Sequence, residues 1–147
     1  MLQDTIEREI IVRAAKERVF DAIVNPEKIV AWFPNAIEGK LEAGERPIFD
    51  FGQDMKHQIF VVAIEPYEYF AYRWVPDSSK GFLGDVLAYP NTLVEFRLKE
   101  VPNGTLVMVK ESGFASLPAQ IAEQSFKGNS EGWEYMMGRL ETLMAKG

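Results

Sequence analysis

The sequence predicts an α+β fold in which a curved antiparallel β-sheet wraps around a long C-terminal helix, with two short helices following the first strand. Three observations predict it. Alternating segments flank an Asn-Gly turn within residues 92–114, an apolar stripe at helical spacing runs from Trp133 to Met144, and helix-capping residues mark a helical pair behind the first strand. Strands followed by one long helix point to α+β rather than to alternating β-α units.

Taken in order, residues 5–13, "TIEREIIVR", alternate with Ile6, Ile10 and Val12 on one face, and their β-branched content favours a strand. "AAKERVFDAIV" spaces Val19, Phe20 and Ile23 for a helix. "NPEKIVAWF" supplies a second, with Asn25 as N-cap, Pro26 at the first helical position and a stop before Pro34. Three strands are expected next. "RPIFDFG" sets Phe49 and Phe51 on one face, "QIFVVAI" sets Phe60, Val62 and Ile64 together, and "YFAYRW" aligns Phe70, Tyr72 and Trp74. The last two are joined at Pro66-Tyr67-Glu68.

The segment from Pro76 to about Pro90 is rich in turn residues, yet "FLGDVLAY" within it is too apolar for a free linker, so it reads as a lid-like or packed loop. "NTLVEFRLKEV" and "GTLVMVKESGF" then make a hairpin around Pro102-Asn103-Gly104, with Val94, Phe96 and Leu98 on the inner face and Glu95, Arg97 and Lys99 facing solvent. "SEGWEYMMGRLETLM" carries Trp133, Met136, Met137, Leu140, Leu143 and Met144 on one helical face. Gly128-Asn129 interrupts the helical run that begins near Pro118, and a break or kink is expected there. The resulting arrangement is a helix-grip: one helix cannot fill a strongly curved sheet, so the gap is plugged by large side chains or left as a cavity. Ten Phe, five Tyr, three Trp and six Met supply plugs or pocket walls equally well.

Composition narrows the function. At 147 residues the chain suits one domain spanning residues 1–147. A formal net charge of −6 disfavours nucleic acid as a partner, since that affinity rests on Lys and Arg neutralising phosphates. The absence of cysteine removes disulfides and thiolate chemistry, and a single histidine leaves no His-rich metal site. No metal or cofactor is implied. The N-terminal "MLQDTIEREI" lacks a signal-like apolar stretch and the longest apolar run is "IFVVAI", so a cytoplasmic location without membrane association is expected. Neither a Gly-x-Ser-x-Gly motif nor a phosphate-cradling glycine pattern is present.

Four stretches, "NPEKIVAWF", "YFAYRW", "NGTLVMVKESGF" and "GNSEGWEYMMGRLETLM", resemble in order and spacing the START-like (SRPBCC) helix-grip superfamily. Within it, the chain is most similar to the activator of Hsp-ninety ATPase (AHSA)-like branch, over nearly its whole length. The resemblance implies an internal cavity and no universal catalytic residue. It also implies three kinds of activity: carriage of a small hydrophobic or aromatic molecule, cyclase- or hydrolase-like catalysis, and co-chaperone stimulation of a chaperone ATPase. A small apolar or aromatic ligand is the expected partner, with a chaperone or other protein as the alternative, for a monomer or weak homodimer.

The central anomaly is Glu111, which shares its alternating face with Val107 and Val109. An inward carboxylate needs a partner, a proton or water, and here it would approach the rim of the cavity. Three roles are open to it: an acceptor tying the strand end to backbone or helix-terminus donors near Ser112 and Gly113, a group orienting a ligand, or a weak candidate for general acid/base work. Trp133 and Met137 are candidate pocket walls together with Phe51, Trp74 and Phe96, although such a stripe also suits a packed core. Phe49, Val109 and Leu140 join them as ligand-facing candidates. Trp32 and Phe33 stand where they could guard an entrance or pack a helix. Tyr72 offers a hydroxyl to share a ligand with Glu111, or a core tyrosine with its tip at water. His57 is expected to face outward on the parity that points Phe60, Val62 and Ile64 inward, an assignment that one β-bulge reverses.

Overall fold

A computed structural model describes residues 3–76 and 81–146. Strand β1 (Thr5–Val12) leads into helices α1 (Lys16–Val24) and α2 (Pro26–Ile29). Strands β2 (Ala36–Glu38), β3 (Ile48–Asp50), β4 (Lys56–Gln58), β5 (Phe60–Glu65), β6 (Tyr69–Trp74), β7 (Thr92–Val101) and β8 (Gly104–Ser112) follow, and helix α3 (Ala119–Ala145) ends the fold. The main sheet is antiparallel in the order β1-β8-β7-β6-β5, and β2-β3-β4 form a second, three-stranded sheet. The α+β helix-grip architecture expected from the sequence is present, with strands β2 and β4 and the division into two sheets added to it.

Local chemistry places each piece. The Asn25 side chain accepts from the Glu27 amide at 2.9 Å with Pro26 at the first position of α2, so one residue closes α1 and opens its successor. The β7–β8 hairpin turns at Pro102-Asn103, where Asn103 adopts φ 69°, a left-handed conformation that asparagine tolerates better than most residues. Val94, Phe96, Leu98, Val107 and Val109 are buried on the inner face of this hairpin.

Two expectations are corrected. Helix α3 runs unbroken for 27 residues through Gly128-Asn129. A mid-helix glycine costs about 1 kcal/mol, which the burial of Ala122, Trp133, Met137, Leu140 and Met144 on either side outweighs. On β5 the parity is reversed: Ile59 and Val61 are buried and Val62 is exposed. Val61 pairs with Tyr72 and Ala63 with Ala71, so Val62 is an extra residue, a bulge that shifts the alternation and returns Ile64 to the core side. The same reversal turns His57 inward. It pairs with Phe49 across β3 and β4, is buried, and packs against the rings of Phe51 and Trp74.

The loop before β7 is packed in part, and its residues 77–80 lie outside the described residues. Phe82 is pinned to β4 by the bonds Gln58 N to Phe82 O (2.7 Å) and Phe82 N to Lys56 O (2.9 Å). Gly81 permits this approach, since a Cβ there would stand 2.1 Å from the Lys56 carbonyl oxygen. Val86 is buried, while Leu83, Leu87 and Tyr89 are exposed. None of the described helices is long and apolar enough to cross a membrane.

Candidate functional site

The inner face of the main sheet contains one row in which Ile6, Glu111, Val94, Tyr72 and Val61 stand side by side on successive strands. Four of the five fit a core, and Glu111 does not. Opposite this row, the buried stripe of α3 passes through Ser125 and Trp133, and the position between them, one helical turn from each, is Asn129. The polar residue of the helix therefore meets the polar residue of the sheet.

Glu111 is fully buried, not at the rim, and both its oxygens are engaged. Oε2 accepts from Trp74 Nε1 at 2.9 Å and from Thr92 Oγ1 at 2.5 Å; Oε1 accepts from Trp133 Nε1 at 2.8 Å; Asn129 Nδ2 donates to both, at 3.0 and 3.1 Å. Every donor is neutral. Burial pushes the Glu111 carboxyl above its ordinary value of 4.5, while the bonds from Thr92, Trp74, Trp133 and Asn129 pull in the opposite direction without cancelling it. The expected ties to backbone at the end of β8 exist, but Asp4 makes them: Gly113 N donates to Asp4 O at 3.2 Å, and Ala115 N to Asp4 Oδ1 at 3.0 Å.

The cage has a second consequence. Because the N–H groups of Trp74 and Trp133 both point at Glu111, these rings turn apolar surface outward. Beside them, Phe33, Phe51, Met136, Gly132 and Asn129 complete a cleft of about 110 Å³ between α3 and the sheet. Its walls touch one another: ring centres lie 5.3 Å apart for Phe33–Trp133, 5.5 Å for Phe33–Phe51 and 6.1 Å for Trp74–Trp133. A Cβ on Gly132 would meet nothing within 4 Å, so this position opens onto space. Larger grooves, of about 470 and 730 Å³, lie over the outer face and edge of the main sheet, where charged side chains such as Glu7, Arg8 and Lys110 line them. Chemistry, not size, singles out the apolar cleft.

The candidates read from the sequence divide between cleft and core. Phe33, Phe51, Trp74 and Trp133 line the cleft. Trp32 is no gate: it is fully buried, and its Nε1 donates to Ala22 O at 2.9 Å, fastening α2 to α1. Phe49, Phe96, Val109, Met137 and Leu140 are buried within the packed interior. Tyr72 has no tip at water. Its hydroxyl is buried without a hydrogen-bond partner among the described residues, and burial, aided by the charge of Glu111, pushes its phenol well above the ordinary value. Sequence reasoning missed Asn129, Thr92 and Gly132. A signal for Asn129 existed: it lies one helical turn before Trp133 on the inward face of α3, where a polar residue calls for a polar partner.

Comparison with known proteins extends this picture. The family described as Activator of Hsp90 ATPase homolog 1-like protein matches residues 13–145. A search of curated proteins gives no match. Among solved structures, MLL2253 from Mesorhizobium loti is 21% identical with a TM-score of 0.78 over 97% of each chain. The Aha1 dimer from Colwellia psychrerythraea is 18% identical with a TM-score of 0.75, covering 97% of this chain and 96% of that one. DynU16, a putative protein in the dynemicin biosynthetic locus, is 23% identical with a TM-score of 0.77 over 97% of this chain; the present chain spans 48% of its length. At these identities the structural likeness speaks for the fold, and the family match over most of the chain speaks for descent. The chain belongs to the Activator of Hsp90 ATPase homolog 1-like family.

Proposed function

We propose that this domain is a cytoplasmic small-molecule binding module that takes a small apolar or aromatic molecule into the cleft between α3 and the sheet. The observation that carries the reading is the composition of the cleft: four aromatic rings and a methionine around about 110 Å³. A somewhat larger apolar cavity, about 150 Å³, is enough to hold benzene, and this cleft is open on one side, so one ring can enter and protrude. Glu111 acts here as a positioning residue. It fixes the two indoles and Asn129 from behind, and its carboxyl is sealed from solvent.

Titration with toluene, followed through the indole N–H resonances of Trp74 and Trp133 and through the thermal midpoint, tests the proposal. Saturable shifts of both indoles with a rise in midpoint are expected, because a ligand of the native state stabilises it by mass action. Indoles unmoved at millimolar toluene would refute it. A second reading, a protein-interaction domain that stimulates a chaperone ATPase, is supported by the family description alone. ATPase stimulation by the purified domain is its test.

A further inference from the structure

The geometry points to a ligand that carries a hydroxyl on its ring, a small phenol, with Asn129 as the residue that recognises the hydroxyl. The inference rests on the cleft being a binding site and adds the class of molecule. The polar atoms the cleft can offer are few. The indole N–H groups of Trp74 and Trp133 are committed to Glu111, the backbone of α3 is hydrogen-bonded within the helix, and Phe33, Phe51 and Met136 contribute apolar surface. Asn129 is the polar side chain on the wall.

Its amide orientation is set by chemistry. Nδ2 faces both oxygens of Glu111, at 3.0 and 3.1 Å, and a flipped amide would place its oxygen against the carboxylate instead. The two oxygens of one carboxylate lie too close together to engage both hydrogens of Nδ2, so a single N–H serves them. Oδ1 and the second N–H are left over, one acceptor and one donor on a residue that lines the cleft. A hydroxyl matches this pair, donating to Oδ1 or accepting from Nδ2, whereas a plain hydrocarbon ring leaves the amide without a partner and loses selectivity accordingly. The volume of about 110 Å³ accommodates one ring, the part of the ligand that the cleft walls hold. Glu111 thus acts on the ligand through Asn129, by fixing the orientation of its amide.

Phenol and toluene, which differ by a hydroxyl in place of a methyl, are the probes. Dissociation constants for both are measured by NMR titration on the wild type and on Asn129→Leu, with the ratio of toluene to phenol constants as the readout. That ratio is expected to fall about tenfold in the variant, the value of one lost hydrogen bond. Should Asn129→Leu fail to fold, the wild type decides alone: at equal saturation both probes shift the Trp74 and Trp133 indoles, and phenol is expected to shift the Asn129 side-chain amide resonances further than the ring current of toluene does. Binding of both probes with an unchanged ratio, or with identical amide shifts, overturns the phenol inference and leaves the binding module standing. Failure of both probes to move either indole overturns the two together.

Discussion

Two carboxylates of the β7–β8 hairpin, Glu95 and Glu111, lie on opposite faces and are held in opposite ways. Glu95 pairs across the strands with Lys110; one step along each strand, Glu111 pairs with Val94. On the outer face, Glu95 accepts from the Tyr69 hydroxyl at 2.5 Å and from Arg97 at 3.2 Å, and the Arg97 guanidinium lies over the Tyr69 ring. On the inner face, Glu111 has four neutral donors and, among the described residues, no cation. The outer carboxylate, itself partly buried, is stabilised by a cation at an exposed position and by the Tyr69 hydroxyl. The inner one is stabilised by direction alone, so its surroundings must be built around it. The difference teaches that a single step in strand register decides whether an acidic residue decorates a surface or organises a core.

The largest effect expected from breaking this comparison is that of Trp133→Ala. Trp133 combines core packing with a bond to Glu111, and truncation should cost about 3 to 5 kcal/mol in denaturant unfolding. A loss below about 1 kcal/mol would mean that the ring merely covers the cleft.

Next comes Glu111→Gln, for which a loss of about 1 to 3 kcal/mol is expected, against less than about 1 kcal/mol for Glu95→Gln. An amide nitrogen has no lone pair for the indole N–H it would face, whereas a carboxyl oxygen accepts whether or not it bears a proton. This reverses the expectation that holds for a buried carboxylate lacking donors, where the same substitution is neutral or stabilising. The pH dependence has a fixed sign. Because the folded value of Glu111 is raised above 4.5, the native state binds more protons than the unfolded chain, and this stabilising contribution is complete below about 4.5 and lost as pH rises through the folded value. Unfolding midpoints should therefore show a wider gap between wild type and Glu111→Gln near pH 4 than at pH 7.

Two tyrosines sharpen the contrast at smaller scale. Tyr69→Phe removes a bonded hydroxyl and should cost about 0.5 to 1.5 kcal/mol, whereas Tyr72→Phe removes an unpaired buried one and should be neutral or slightly stabilising. In the wild type, burial and the bond to Glu95 push the Tyr69 phenol up to about 12, so ultraviolet titration should find it protonated well past pH 10. The smallest effect belongs to Gly132→Ala. A gain of about 0.5 to 1 kcal/mol from helix propensity is expected, since the new Cβ meets nothing, together with weaker toluene binding because that carbon enters the cleft.

Much of this was legible in the sequence where one local rule dominates. The 92–114 hairpin, the Asn25-Pro26 start of α2 and the apolar face from Trp133 to Met144 were all readable, because turn chemistry and periodicity act within a few residues. Legibility failed where tertiary partners decide. The bulge at Val62 inverted the reading of β5 and with it the orientation of His57, since a single inserted residue leaves no mark on an apolar run. The expected break at Gly128-Asn129 misread a tertiary contact as a local weakness: Asn129 belongs inside the helix because Glu111 stands opposite. Each residue looked anomalous alone, and neither is anomalous as a pair.

That pairing is the claim most open to direct test, by ¹³C NMR titration of the Glu111 side-chain carboxyl in the wild type and in Asn129→Ala. The account predicts a value above 4.5 in the wild type and a further rise in the variant, because Asn129 is one of the donors that hold the value down. A wild-type value at or below 4.5 that Asn129→Ala leaves unmoved would contradict it.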